Sequence, residues 1–320
     1  MGAWENRCGH CIPQCLPKGF EASGQEDKVI HLNWAIYSLW QSGCEWYEDL
    51  THTPTSFGFK QCWVKHAVLY RFDEDSTILA VDVNDITIAG DSPRGIRRFK
   101  GNLSSGYGIK DIGNLWWFLG IGIDRDRKKR TISFSQVAYV QKIVECFEME
   151  DARPLSIPIS PGHSLTKSQQ PVSECDIEEM KNIPYHEAIG SLMYVVIGKW
   201  PNIAYTVSYL AHFMANPGRV YWEAMKRIIR YLKGRKDTKL TLGKGGTLKW
   251  EEPNRRDQFG IEGYSDVDGN SQEHQHIISR YTCCIDSSAV SWNSHKQALV
   301  SLLTTKSKYV AMTHAAKEAI

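Results

Sequence analysis

Residues 77–90 read Thr-Ile-Leu-Ala-Val-Asp-Val-Asn-Asp-Ile-Thr-Ile-Ala-Gly, and no other stretch restricts the fold as strongly. Two β-branched, apolar-rich runs flank the polar pair Asn84-Asp85, and Gly90 closes the segment. Asx residues at the tip of such a run tolerate left-handed backbone angles, so the pattern predicts a β-hairpin. Its tip would offer carboxylates held between strands whose other residues can be buried. That is how a protein fixes a divalent cation against a phosphate. A plain surface hairpin with ordinary turn residues would carry the same pattern.

Length and composition frame what surrounds this hairpin. A chain of 320 residues has room for two domains or three small ones. Its 42% hydrophobic and 23% charged fractions are ordinary for a soluble globular protein. The net charge of +2 is too small to identify a nucleic-acid binder, which shifts that question to local clusters. No apolar run approaches the roughly 20 residues of a membrane span. The start, Met1-Gly2-Ala3-Trp4-Glu5-Asn6-Arg7, lacks the apolar core of a secretion signal. The expectation is an intracellular protein, in cytoplasm or nucleus, whose nine cysteines are mostly reduced. Cys8-Gly9-His10-Cys11 imitates a redox pair, or half a zinc site with Cys15. The prolines at 13 and 17 argue against the helix a redox pair needs, and no second pair lies nearby. Incidental or structural cysteines are the simpler reading.

Along the chain, Leu32, Ile36, Leu39, Trp40, Trp46, Tyr47 and Leu50 show helical spacing, which predicts two short helices over 28–50 parted at Gly43. Residues 57–72 read as extended. Ser92-Pro93 predicts a capped helix carrying Arg94, Arg97, Arg98 and Lys100. A second hairpin is expected from residues 115–124 and 131–134, joined by the charged turn 125–130. A helix capped by Ser135 follows, with Val137, Val140, Ile143, Val144 and Phe147 on one face. The proline-bearing stretch 153–182 is the expected internal boundary. Helices are expected over 185–198, 203–214 and 217–234. The last buries Trp222, Met225, Ile229 and Leu232 and carries Lys226, Arg227, Arg230, Lys233, Arg235 and Lys236. Such a run is either a solvated face or a stripe tracking phosphates. Residues 243–246 form a glycine-rich joint. Strands over 259–265, 278–285 and 289–292 then precede a helix from 304 with Tyr309, Met312 and Ala316 roughly in line. The β-β-β-α order then stops with a sheet edge uncovered, which predicts a truncated domain.

These motifs, in this order, resemble the Pol polyprotein of copia-type LTR retrotransposons, from the later part of its reverse transcriptase into its RNase H. The resemblance spans residues 16–320. Pro17-Lys18-Gly19-Phe20, Ala35-Ile36-Tyr37-Ser38-Leu39 and Glu45-Trp46-Tyr47 are similar to the region after the first catalytic motif of that polymerase. The 77–90 hairpin is similar to its Tyr-Val-Asp-Asp hairpin. Ile109-Lys110-Asp111-Ile112-Gly113 with Phe118-Leu119-Gly120-Ile121 is similar to its primer-gripping region. Trp222-Glu223-Ala224 with Arg230-Tyr231-Leu232-Lys233-Gly234 resembles the helix before the RNase H. Gly263-Tyr264-Ser265-Asp266-Val267-Asp268, Ala289-Val290-Ser291-Trp292 and Lys296-Gln297 resemble its start.

The resemblance implies RNA-directed DNA polymerase and ribonuclease H chemistry, an RNA or DNA template–primer as partner, and Mg²⁺. Both reactions move a phosphoryl group in line between two cations about 3.5–4 Å apart. Carboxylates must hold those cations, because Mg²⁺ prefers hard anionic oxygen. Of the three aspartates that the polymerase site needs, only Asp85 matches. Asn84 stands at the first tip aspartate and Asp82 at the tyrosine. The earlier strand's aspartate would fall before residue 16, where none occurs. Asp82, two residues from Asn84, offers at most a partial substitute. In the RNase H part, Asp266 matches the first acidic ligand. Lys308 stands where a glutamate ligand is expected and would pair with Asp266 instead. Arg280 replaces a strand glycine, and the two remaining acidic positions would lie past residue 320.

The expected fold class is α+β: a partial reverse-transcriptase palm with a helical thumb or connection region, then a truncated RNase H-like unit. Its expected boundaries are 1–155, 156–250 and 251–320. Asp85 and Asp266 are the vestigial catalytic and metal-ligand candidates. Lys226, Arg227, Arg230 and Lys233 are the nucleic-acid candidates. The expected product is an inactive remnant. The alternatives are a non-catalytic nucleic-acid binder that uses these cations with Arg94, Arg97 and Arg98, or a decayed gene product without function. No membrane partner is expected, and the sequence names no partner chain.

Overall fold

In a computed structural model, the structure describes residues 12–15, 29–32, 42–73, 75–159, 165–243, 261–268, 277–285, 288–297 and 304–319. The chain divides into two compact units, Met1–Asn114 and Leu115–Ile320. Both mix helices with antiparallel sheets, so the fold class is α+β. The Cys8–Cys11 motif lies outside the described residues. No helix of the described residues is long and apolar enough to cross a membrane.

In the first unit, β1 (Ile12–Cys15) pairs antiparallel with β2 (Val29–Leu32). The helix expected from residue 28 is therefore a strand at its start. Val29-Ile30 is β-branched, and four residues of apolar spacing do not separate the two periods. Residues 33–41 lie outside the description. Helix α1 (Ser42–Ser56) carries Gly43 as its second residue rather than as a break. The strands β3 (Lys60–Gln61), β4 (Val68–Arg71), β5 (Thr77–Asp82) and β6 (Asp85–Gly90) form a sheet in that order, and α2 (Pro93–Gly106) follows. Ser92 caps α2, its hydroxyl accepting from the Gly95 N–H at 3.2 Å, with Pro93 in the first turn. Leu69 and Leu79 are buried with Phe59, Phe99 and Leu103, and Val81, Ile86 and Ile88 pack against them. One sheet face is thus buried and the opposite face is open. Side chains alternate across a strand, so Ile78, Ala80, Asp82, Asp85, Thr87 and Ala89 share the open face.

The second unit opens with β7 (Trp117–Phe118), β8 (Ile121–Asp126) and β9 (Thr131–Ser135). Helix α3 (Val137–Cys146) follows, and its N-cap is Gln136, not Ser135, which ends β9. The stretch expected as a loop after residue 153 contains α4 (Glu174–Lys181). Then come α5 (Tyr185–Lys199), α6 (Ala204–Ala211), α7 (Arg219–Gly234) and β10 (Leu240–Gly243), which pairs with β9 to give the sheet order β10-β9-β8-β7. Helices α3, α5, α6 and α7 enclose the main core. Tyr185, Leu192, Leu210, Met225, Ile229 and Leu232 are fully buried in it. Trp222, expected to be buried, only packs against its margin.

A second sheet, β11 (Ile261–Asp268), β12 (Ile278–Ile285) and β13 (Ser288–Lys296), packs against α8 (Thr304–Ala319). Helix α8 turns Ser307, Ala311 and Ala315 toward the sheet and leaves Tyr309, Met312 and Ala316 exposed. The residues that lie roughly in line along the helix are therefore its exposed side. Small residues let the helix backbone approach the sheet closely, and the Cys283 thiol lies 4.0 Å from the Ala315 carbonyl. On the other side of the sheet, the Trp292 Nε1–H donates to the Val196 carbonyl of α5 at 2.9 Å.

Candidate functional site

The hairpin expected at 77–90 is present, with its turn one residue earlier than composition suggested. β5 and β6 pair from Thr77↔Gly90 to Asp82↔Asp85, which leaves Val83-Asn84 as the two-residue turn. Asp85 is the first residue of β6 rather than part of the tip. The register is set by the buried set Leu79, Val81, Ile86 and Ile88, because a slip by one would turn it to the open face. Val83 takes φ 50°, a left-handed conformation that a β-branched residue adopts only under constraint. Helix α1 supplies a constraint, since the Trp46 Nε1–H donates to the Val83 carbonyl at 2.6 Å. Trp46 also packs edge-on against Tyr107, whose hydroxyl donates to the Asp49 carbonyl at 2.8 Å.

Asp82 does not share a strand face with Asn84, because Asn84 lies in the turn. Its neighbour is Asp85, directly opposite across the ladder. Opposed side chains stand with Cβ atoms roughly 5 Å apart, and both carboxylates are exposed on the open face. Among the described residues, no group of three or more His, Cys, Asp or Glu side chains is placed to hold a metal ion.

Asp266 on β11 lies opposite Arg280 on β12, and the two form an ion pair at 3.7 Å. The Arg280 guanidinium sits 4.8 Å over the Tyr205 ring of α6. Alternation puts Asp266 and Arg280 on the α6 face of the sheet and Cys283 on the α8 face. Lys308 is exposed on α8 and so does not meet Asp266. The ion pair expected between them is replaced by the cross-strand one. Spacing within single motifs could not reveal this, because it depends on which face of the sheet α8 covers.

The four candidate cations of α7 are half-buried, and Lys226, Arg230 and Lys233 have partners within the fold. Lys226 Nζ is 2.6 Å from Glu223, one turn away. Arg230 Nε–H donates to the Arg153 carbonyl at 2.7 Å. Lys233 Nζ donates to the carbonyls of Glu150 and, at 2.9 Å, Ala152. The Arg227 Nε is buried with no hydrogen-bond partner among the described residues. On α2, Arg94 and Arg97 are exposed, while Arg98 is 3.7 Å from Asp75.

Sequence reading missed a histidine pair between β13 and α8, His295 and His314, with ring centroids 4.5 Å apart. Burial, and secondarily His314, hold the His295 imidazole below the usual histidine value. The unfolded chain therefore binds more protons once pH falls through the ordinary value of about 6.5. Stability is fully present above that pH and is lost below it. Thermal unfolding should show a smaller loss between neutral and mildly acid pH in His295→Gln than in the unaltered chain. Equal losses would show that this pair does not set the response.

The family described as Reverse transcriptase (RNA-dependent DNA polymerase) matches residues 12–161. Over 307 residues, 95% of the chain, the sequence is 32% identical to a retrovirus-related Pol polyprotein from transposon TNT 1-94 of Nicotiana tabacum, of which it spans 22%. It is 28% identical over 310 residues to the corresponding polyprotein from transposon RE1 of Arabidopsis thaliana, covering 94% of this chain and 19% of that one. A putative transposon Ty5-1 protein of Saccharomyces cerevisiae is 26% identical over 306 residues, 94% of this chain and 93% of that protein. The chain thus spans only about a fifth of the two plant polyproteins. No solved structure matches. By these matches, residues 12–161 match the reverse-transcriptase family, and nearly the whole chain is similar to part of the Pol polyproteins of copia-type retrotransposons.

Proposed function

We propose that this chain is a reverse-transcriptase relative that keeps the fold and a nucleic-acid contact without polymerising or cleaving. The observation that carries the reading is the turn of the 77–90 hairpin, where Asp82 and Asp85 face each other across the neutral Asn84. In-line phosphoryl transfer between two cations needs several anionic oxygens at fixed positions. An amide at the tip removes one charge, and Asp82 comes from the position that the family resemblance gives to tyrosine. A set of ligands misplaced by about 1 Å fails. The residues present therefore do not fit a two-Mg²⁺ site. Asp266 supports the same reading for hybrid cleavage, because its charge is taken by Arg280 and the glutamate position of α8 is Lys308.

In this reading, residues 1–155 are the reverse-transcriptase part and 156–250 a helical thumb or connection region. Residues 251–320 begin an RNase H-like unit, supported by the order β11-β12-β13-α8. Template–primer binding is the property the fold would retain. Purified chain on a primed RNA template with Mg²⁺ should extend no more primer than its Asp85→Ala variant. Extension clearly above that variant would overturn the reading.

A further inference from the structure

We propose that the β8–β9 turn, residues 125–130, is a phosphate-contacting surface of this chain and takes the sugar–phosphate backbone of nucleic acid. The inference rests on the binding role proposed above and locates it away from α7. Five of the six residues are basic: Arg125, Arg127, Lys128, Lys129 and Arg130. The sixth, Asp126, is turned to the backbone, its carboxylate accepting from the Lys128 and Lys129 N–H groups at 2.9 and 3.0 Å. Its other oxygen is 3.8 Å from Lys129 Nζ. Among the described residues, the side chains of Arg125, Arg127, Lys128 and Arg130 make no ion pair or hydrogen bond, and all four are exposed.

The turn is also held in shape. Asp126 pairs with Thr131 at its base, and Arg130 takes φ 55°. Gly243 of β10 presses on it from the next strand, where a Cβ would stand 2.2 Å from the Arg130 carbonyl. Fixed backbone lowers the ordering cost that flexible cations incur on binding. The nearest other anion in the sheet, Asp124, is engaged by Lys239 at 3.2 Å. The contrast with α7 is in what the cations do: those of α7 hold a neighbouring acid and loop carbonyls, and those of the turn face solvent.

Exposed indoles favour nucleic acid over an acidic peptide. Trp116 and Trp117 are 63% and 45% exposed, and Trp117 pairs with Gly122 at the end of β8 away from the turn, so a strand laid along β8 from the cations would reach the indoles. Cations that track phosphates beside aromatic faces that stack bases are the general plan of single-strand and hybrid binders. An acidic peptide offers charge without flat rings, and an anionic vesicle offers neither rings nor a strand to follow.

The test uses the full chain and a fluorescein-labelled RNA–DNA hybrid, with anisotropy read over a NaCl series. Arg127→Gln/Lys128→Gln/Arg130→Gln should reduce the salt dependence by about two contacts and weaken binding about 10–100-fold at 0.1 M salt. Lys181→Gln, which removes an exposed cation of α4 paired with Glu178, should bind like the unaltered chain. Circular dichroism melts establish that each variant is folded. A turn variant that binds with unchanged affinity and slope overturns this inference and leaves the binding role standing. Absence of hybrid binding by the unaltered chain overturns both. Turn-dependent binding to phosphatidylserine vesicles or polyglutamate at least as tight as to hybrid also overturns the assignment to nucleic acid.

Discussion

Replacing Tyr221 with alanine should cost the second unit about 3–5 kcal/mol of unfolding free energy. Tyr221 is fully buried in α7 and stacks on Phe213 with ring centroids 4.0 Å apart and planes 8° from parallel. Its hydroxyl donates to the Thr166 carbonyl at 2.5 Å, tying α7 to a segment far away in sequence. Truncation removes buried apolar area, a ring pair worth about 0.5–1.5 kcal/mol, and a hydrogen bond of similar size. It also opens a cavity beside Phe213 in the helical core. Tyr221→Phe keeps the ring and loses only the hydroxyl, so about 1 kcal/mol is expected. Urea unfolding with unchanged slope measures both. If alanine and phenylalanine cost the same, the stack contributes nothing and the proposed centre of the core is wrong.

Lys199→Met should stabilise the protein at neutral pH. Lys199 ends α5 with only 5% of its surface exposed, its ammonium donating to the Thr238 carbonyl and lying 4.7 Å from the Trp200 ring. Burial is the main cause that lowers its pKa from 10.5 to about 8, against the opposing pull of Asp237. That shift corresponds to about 3 kcal/mol by which the folded state disfavours the charged amine. The sign follows from proton counting: between these two values the unfolded chain holds a proton that the folded chain has lost, so stability rises with pH there. Below about 8 both forms are protonated and the full penalty stands. Methionine removes the penalty and loses the bond to Thr238, so the net gain at pH 7 is about 1–2 kcal/mol. The gain should shrink as pH rises toward 10.5. A variant less stable than the unaltered chain at pH 7, or a gain independent of pH, would refute the assignment.

Much of this architecture was legible in the sequence because the buried sets are regular. β5 and β6 announce themselves by β-branched alternation, and α7 by its apolar stripe. The hairpin turn was misplaced by one residue because composition favours Asx at the tip, whereas the register of the buried residues forces Val83 into the left-handed position. The strand Val29–Leu32 was read as helix, since its partner Ile12–Cys15 lies too far away for local periodicity to detect. Which face of α8 is buried was not legible, because this sheet selects Ser307, Ala311 and Ala315 over the larger Tyr309 and Met312. For the candidate site, residue identities were readable and neighbours were not. That Arg230 and Lys233 meet carbonyls about eighty positions away, and that Asp266 meets Arg280, are facts of tertiary contact.

The strap from Trp46 to the Val83 carbonyl has a consequence for how such a protein changes over generations. The turn is supported by backbone register and by an indole on another element, and neither support runs through the carboxylates at positions 82 and 85. Exchanging carboxylate for amide at position 82 or 85 leaves both of these supports intact, so folding selects against few of the substitutions there that abolish metal chemistry. Selection on shape and selection on charge are uncoupled at this turn. A lineage released from copying nucleic acid would lose its acidic tip long before it lost the hairpin that displays it.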